Sequence, residues 1–334
     1  MHVVQIHHEK EGRKIALVNE PKLQIINHFK SVYELASFAI DNGGSISTLI
    51  NNHLSDTLLD YDAIYNGNSE WVLLPAFDHP TNEHNLMLSG TGLTHKASAE
   101  NRQKMHEAAA ESDLTDSMKI YFMGVENGKP EKGIIGVQPE WFYKGNGSVL
   151  KAHGEPLEIP NYGNDGGEEP EIAGIYVNDK KGNPWRIGFA TANEFSDHIM
   201  ERKNYLYLAP SKIRNCSLGP ELKITKDFND ISGKVQINRN GKVLWKKTIK
   251  TGEANMSHSL ENLEYHHFKY KNHCLPYQAH IHFFGADAFS FGEGITLKEN
   301  DEMSVEWFTM GRSLKNKLKI ETEKGLMFSV NILH

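Results

Sequence analysis

The chain has 334 residues, 39% hydrophobic and 24% charged, with a formal net charge of -7. Such a chain can bury a sizeable core unaided, and its acidic balance argues against nucleic acid or anionic lipid as a partner. Two cysteines, Cys216 and Cys274, are too few for a disulfide framework. Residues 1–9 lack a cationic stretch leading into an apolar run, and no segment approaches the roughly 18 apolar residues of a membrane helix. A cytoplasmic enzyme with no membrane contact is expected.

In chain order, Val3–Ile6 and Lys14–Val18 read as strands. Pro21 opens an expected helix in which Ile25, Phe29, Val32, Ala36 and Ile40 share one face, and Asn42-Gly43-Gly44 stops it. A second helical piece spans Ser45–Leu54, so residues 1–85 read as a small α/β domain. A short strand, Leu86–Leu88, then runs into Gly90-Thr91-Gly92-Leu93-Thr94-His95 and a helical stretch over about 97–110. Short β-type runs follow at Met118–Val125, Glu171–Val177 and Arg186–Ala192. Asn240-Gly241, between Val235–Arg239 and Lys242–Ile249, is the strongest hairpin signal. Met303–Phe308, Lys317–Glu321 and Met327–Leu333 complete a β-rich unit over residues 86–334.

Glu169 and Glu171 lie two apart at the start of a strand, so extended backbone points both to one side. Like charges that close repel unless a cation sits between them, and hard oxygen donors suit Mg²⁺, Mn²⁺ or Ca²⁺. Taken alone, the pair reads equally as a solvated acidic loop. Further on, Ala192-Asn193-Glu194-Phe195-Ser196-Asp197-His198 ends an apolar strand in a carboxylate. Lys212 then sits in a turn-rich loop running to Ser217-Leu218-Gly219-Pro220.

This ordered series resembles the fumarylacetoacetate hydrolase family, over about residues 85–334. The segment Pro139–Ser148 is similar to that family's aromatic-x-Lys-small-Ser/Thr stretch, and Ile295–Glu306 to its closing hairpin, with Asn300 where glycine is usual. The resemblance implies an α+β fold, a mixed β-roll behind the small N-terminal α/β domain, in a homodimer. It implies metal ligands Glu169, Glu171 and Glu194, the last standing where aspartate is usual, a catalytic Lys212, and substrate contacts from Lys144, Ser148, Gly285 and Asp287. The family's substrate-binding threonine is missing from Gly285–Gly292.

Eighteen histidines are present, with His7-His8 and His266-His267 expected as exposed pairs. His280-x-His282 can place two imidazoles on one strand face, as a zinc or iron site does, but no glutamate follows, so they read as packing or pocket-lining residues. Backbone N–H groups of the loop after Gly90 suit a substrate carboxylate near Thr94. His95 and Glu100, five apart, do not match the family's His-x-x-Glu water-activating dyad, although either is a candidate base. The loop instead resembles the branch acting on 2-keto-3-deoxy sugar acids. The expected activity is a Mg²⁺-dependent lyase dehydrating such an acid, with hydrolysis of a C–C bond in a dioxo acid, or non-catalytic sugar-acid binding, as alternatives. The segment Asn161–Gly167 is the expected lid.

Overall fold

A computed structural model of the chain describes residues 1–100, 115–323, 325 and 328–333. Among the described residues, seventeen strands build two sheets. In chain order they are β1 (His2–His8), β2 (Gly12–Asn19), β3 (Lys22–Ile26), β4 (Leu54–Asp60), β5 (Val72–Leu73), β6 (Leu86–Gly90), β7 (Phe142–Asn146), β8 (Leu150–Lys151) and β9 (Leu157–Ile159). They continue with β10 (Pro170–Asn178), β11 (Pro184–Asn193), β12 (Cys216–Lys223), β13 (Ile231–Arg239), β14 (Lys242–Thr251), β15 (Ala279–Phe283), β16 (Glu302–Trp307) and β17 (Leu314–Ile320). The large sheet runs β4-β3-β2-β1-β12-β11-β10-β15-β6-β7, with β5 beside β1 and β8 beside β12. The smaller runs β14-β13-β16-β17-β9.

The N-terminal meander is a continuation of the large sheet, because β1 pairs with β12 at His2–Lys223 and Val3–Leu222. Its two faces differ. Val4, Ile6, Ala16, Leu23, Ile25, Tyr61, Ile64, Trp71 and Leu73 make a cluster drawn wholly from the first 85 residues. The opposite face sends Val3, Ile15 and Ile26 into a core shared with Ala173, Leu218 and Ile281. A further core under the smaller sheet holds Phe189, Trp245, Phe284 and Trp307. The β-rich α+β architecture expected from the sequence is present.

Local chemistry explains several elements. Asn240 and Gly241 both adopt left-handed backbone (φ 52° and 74°), as a two-residue hairpin turn demands. Asn300, standing where the resembled family has glycine, also has φ 68°; asparagine is among the few residues that tolerate that region.

Three expectations need correction. The helix expected from Pro21 begins only at Val32, capped by Ser31. Residues 22–26 form β3, whose hydrogen-bonding groups are taken by β2 and β4 on its two sides. Met118–Val125 belongs to the helix Asp116–Asn127, capped by the Thr115 side chain on the Met118 N–H; a cap plus i, i+4 packing outweighs the residues' strand propensity. Residues 328–333 form no strand. Of the helix expected over 97–110, residues 96–100 are helical and 101–114 lie outside the described residues.

A buried carboxylate ties the N-terminal strands to the C-terminal hairpin. Glu221, on β12, accepts from the Tyr61 hydroxyl at 2.9 Å and the Arg312 N–H at 3.0 Å, and meets His2 Nδ1 at 2.8 Å. Burial and this carboxylate push the Tyr61 phenol far above its ordinary range. Glu221→Ala strands these donors without an acceptor, so a loss of about 3 kcal/mol is expected in urea unfolding. A change under about 1 kcal/mol, the size of an exposed pair, would show that the junction does not depend on Glu221.

Candidate metal and active site

The strand ends that carry the site lie side by side: Pro170 faces Asn193, Ala173 faces Phe283, and Phe283 faces Gly90. Glu169 precedes β10, Glu171 is its second residue, and Glu194 follows β11 directly. The Asn193 side chain accepts from the Glu169 N–H at 3.1 Å, while the Glu194 N–H donates to the Glu169 carbonyl at 3.0 Å. Phe195 takes a left-handed conformation, φ 41°, unusual for an aromatic residue and an expected mark of a constrained site. All three glutamates are buried. One carboxylate oxygen from each lies within 4.8 Å of the others, the one such group of three metal-ligating side chains among the described residues.

Charge is distributed unequally over the trio. Lys212 Nζ donates to both oxygens of Glu169 (2.8 and 3.0 Å), to Glu194 at 2.7 Å and to Ser196 Oγ at 2.9 Å, and lies 3.3 Å from Glu201. Lys144 Nζ pairs with the other Glu194 oxygen at 2.7 Å and donates to the Phe195 carbonyl at 2.5 Å. His198 Nε2 contacts Glu169 at 3.1 Å, its ring stacked on Phe289 at 4.7 Å. Although burial works to raise it, Lys212 and His198 hold the Glu169 carboxyl well below the usual range.

Glu171 has the opposite environment. Its hydrogen-bond partner is the Gly285 N–H at 2.7 Å, and no cation pairs with it among the described residues. Burial, then the charges of Glu194 and Glu169, push it well above the usual carboxylate range, while burial lifts Glu194 to about 7. Three hard, buried oxygen donors with unrelieved repulsion fit a divalent cation such as Mg²⁺.

The remaining candidates fall into two groups. Thr94 and Gly285 lie against each other: the Thr94 hydroxyl donates to the Phe284 carbonyl at 2.6 Å, and a Cβ on Gly285 (φ 96°) would meet Thr94 Oγ1 at 2.2 Å. His95 is buried next to them, its Nδ1 on Thr94 at 2.9 Å and its Nε2 on Thr251 at 3.1 Å. Burial holds it down at about 3, so it is a neutral imidazole with both nitrogens engaged. Glu100 is half exposed and pairs with Lys96 at 3.4 Å. Ser148 is exposed on a turn, and Asp287 accepts from the Lys250 N–H at 2.9 Å. Neither is joined to the trio by a hydrogen bond or ion pair recorded among the described residues.

Sequence reasoning passed over Ser196, His198 and Glu140, although all three lie inside motifs it quoted. Glu140 is buried, accepts from the Tyr205 hydroxyl at 3.1 Å, and approaches Gly92 so closely that a Cβ there would sit 1.9 Å from its Oε1. Two residues on, Phe142 lies under the Lys212 ammonium at 4.8 Å.

Several histidines pack inside the fold. His266 and His267, expected as an exposed pair, are buried, because the helix Leu260–Phe268 carries His267 against His280 of β15 and His266 onto the Gly136 carbonyl at 3.0 Å. A hydrogen-bonded chain runs from Thr91 Oγ1 to His282 Nε2 (2.8 Å), His282 Nδ1 to Ser89 Oγ (2.8 Å), Ser89 Oγ to His267 Nδ1 (3.3 Å), and His267 Nε2 to His280 Nδ1 (3.1 Å). The Trp141 indole N–H also meets His267 Nδ1 at 3.3 Å. An indole only donates, so the neutral His267 carries its proton on Nε2. Burial holds His280 and His282 at about 3.

The whole arrangement is that of a mixed β-roll with a buried carboxylate cluster at its strand ends, the fold of the fumarylacetoacetate hydrolase family. The resemblance read from the sequence is borne out to that extent. The chain is similar in structure to 2-keto-3-deoxy-D-arabinonate dehydratase complexed with magnesium and 2,5-dioxopentanoate, with a TM-score of 0.71, 17% identity, and coverage of 97% of this chain and 100% of that one. It is also similar to 5-carboxymethyl-2-hydroxymuconate delta-isomerase from Mycobacterium smegmatis, with a TM-score of 0.58, 14% identity, and coverage of 97% and 100%. No family model and no curated protein matches the chain. At these identities the likeness is one of fold.

Two measurements test this electrostatic picture. Glutamine mimics the protonated Glu171 and keeps an acceptor for Gly285, so Glu171→Gln is expected to leave the metal-free melting temperature unchanged or raise it. Mg²⁺ affinity by calorimetry should fall at least about tenfold. A destabilised metal-free protein with unaltered Mg²⁺ binding contradicts the assignment.

The second uses pH. His95, His280 and His282 are held at about 3 by burial, whereas unfolded histidine titrates near 6.5, so below that pH the unfolded state binds more protons. Stability is therefore lost on acidification, by about 1.4 kcal/mol per histidine between pH 7.5 and 5.5. The urea midpoint should drop across that interval, and His282→Gln should flatten the drop. Glu194, lifted to about 7, takes up a proton in the folded state over the same interval and works the other way, so the decisive comparison is with the variant: an unaltered pH dependence in His282→Gln would mean this imidazole is not held neutral.

Proposed function

We propose that this protein is a metal-dependent lyase that dehydrates a 2-keto-3-deoxy sugar acid, such as 2-keto-3-deoxyarabinonate, and works in the cytoplasm as a homodimer. The observation that carries the reading is the buried trio Glu169, Glu171 and Glu194 with the Lys212 ammonium held among its carboxylates. The fold likeness to a dehydratase of such an acid, complexed with magnesium, supports it. A divalent cation held by the three glutamates supplies a Lewis acid for a substrate carboxylate and 2-oxo group.

The chain's own groups do the rest. The Gly285 N–H and Lys144 fix Glu171 and Glu194. Loss of the C3 proton places negative charge on the 2-oxo oxygen, and Lys212 stabilises it. A proton passed to the C4 hydroxyl lets it leave as water, so the carbon skeleton stays intact. For the base we favour Glu140, buried beside Gly92 and bonded to Tyr205. Both nitrogens of His95 are engaged, and Glu100 pairs with Lys96. Thr94 and the neighbouring glycine-loop backbone line the substrate side, and the segment Asn161–Gly167 closes over it as a lid.

A second reading keeps the same cluster for a dioxo acid, by C–C hydrolysis or isomerisation, and the fold likeness to an isomerase favours it. Chromatography coupled to mass spectrometry, on a panel of 2-keto-3-deoxy pentonates and hexonates and of dioxo acids, separates the possibilities. Dehydration yields one product lighter by water; hydrolysis yields two acids from a dioxo substrate; isomerisation leaves the mass unchanged; a binding protein turns over nothing. With the dehydratase substrate, chelation is expected to abolish turnover and Mg²⁺ or Mn²⁺ to restore it. Lys212→Met should lower kcat on the order of a hundredfold. Full turnover in metal-free protein, or an undiminished kcat in folded Lys212→Met, rules this mechanism out.

A further inference from the structure

After β15 the chain returns to the stretch Glu168–Glu171, tied to it directly at two places and through His198 at a third. The Gly285 N–H holds Glu171 at 2.7 Å. Phe289 and Phe291 lie against the His198 ring, with centroids 4.7 and 5.1 Å away, and Nε2 of that ring meets Glu169 at 3.1 Å. Between the two phenylalanines, Ser290 gives both of its donors to Glu168: its N–H to one oxygen at 2.6 Å and its hydroxyl to the other at 2.9 Å. Ser290 opens a short 3₁₀ helix, Ser290–Glu293. Both it and Glu168 are buried, where water does not replace a lost donor. The segment is also held to β14, since Asp287 accepts from the Lys250 N–H at 2.9 Å and Glu293 from the Trp245 indole N–H at 2.7 Å.

We propose that Ser290 is a positioning residue for the metal site: by fastening the segment Gly285–Phe291 to Glu168, it fixes how Glu169 and Glu171 present their oxygens and so favours Mg²⁺ over Ca²⁺. This role rests on the trio Glu169, Glu171 and Glu194 holding a divalent cation, as the proposed function has it. Ser290 lies between the two rings that meet His198 and close in sequence to Gly285. Neither orienting contact therefore shifts far while the serine keeps its hold. Mg²⁺ requires near-octahedral oxygens at about 2.0–2.1 Å, whereas Ca²⁺ accepts a larger and more flexible set at about 2.3–2.6 Å. Carboxylates kept in one orientation suit the smaller ion, and carboxylates free to swing lose that ion first. Groups that orient metal ligands from outside commonly account for about ten- to a hundredfold in affinity.

Calorimetry of the full chain, stripped of metal and titrated separately with Mg²⁺ and Ca²⁺, tests this role. In Ser290→Ala the Mg²⁺ affinity is expected to fall about tenfold and the Ca²⁺ affinity less than about threefold, so the preference for Mg²⁺ narrows. Phe289→Leu keeps an apolar side chain but takes the stacked ring from His198. It should narrow the preference in the same direction, and it carries the test should Ser290→Ala not fold. Tyr61→Phe removes a different buried hydroxyl from a carboxylate, that of Glu221. It should lower stability while leaving both affinities unchanged, which separates positioning from a general loosening of the fold. A wild-type ratio of affinities in both site variants, or an equal narrowing in Tyr61→Phe, overturns the role of Ser290 and leaves the metal site standing. A wild-type chain that binds neither ion removes the metal site itself, and this role with it.

Discussion

Bringing three carboxylates together out of water is the costly step in this fold. Each loses hydration on burial, and each raises the free energy of its neighbours' charge. Two lysines and a histidine offset the cost at Glu169 and Glu194, but they stop short of Glu171, which keeps a single backbone N–H. The result is a cluster in which one carboxylate is driven toward its neutral form while another is held firmly ionised. Three hard carboxylate donors with that imbalance fit a divalent cation.

The sheet supplies the rigidity this demands. Because β15 lies parallel to β6 and antiparallel to β10, their ends deliver Gly285, Gly90 and Glu171 to one place. Behind that line the histidine chain from Thr91 to His280 fills the interior with polar but uncharged groups. Neutral imidazoles satisfy one another without adding charge to an interior already carrying several carboxylates. His280 Nε2 is left with no hydrogen-bond partner among the described residues, a buried donor that costs stability. In front, a side chain at Gly285 would run into Thr94, and one at Gly92 would force the Glu140 carboxylate to shift.

What could be read in the sequence was local. Glu169 and Glu171 sit two apart before an apolar strand, Glu194 ends the next, and Asn240-Gly241 marks its own turn; in each case neighbours in sequence determine backbone shape and side-chain direction. The order of these motifs was enough to expect the fold of the resembled family. The hydrophobic period misled where short segments were ambiguous. Residues 22–26 carry apolar residues compatible with either period, and only partners on both sides, β2 and β4, decide for a strand.

Distance and charge belonged to the tertiary structure. No spacing says that Lys212, 43 positions beyond Glu169, bonds both of its oxygens, or that His95 spends its nitrogens on Thr94 and Thr251. Glu140 lies in a motif that sequence reading quoted, yet its part emerges only when Gly92 is folded against it. His266 and His267 read as surface residues because histidine is polar, and became interior ones because a helix turned His267 onto β15 and His266 onto the loop at Gly136. The chain itself determined which groups are available and which way each strand presents them. Which of those groups meet, and therefore which are charged, was settled by long-range pairing, since burial and electrostatic coupling depend on distances that sequence separation does not encode.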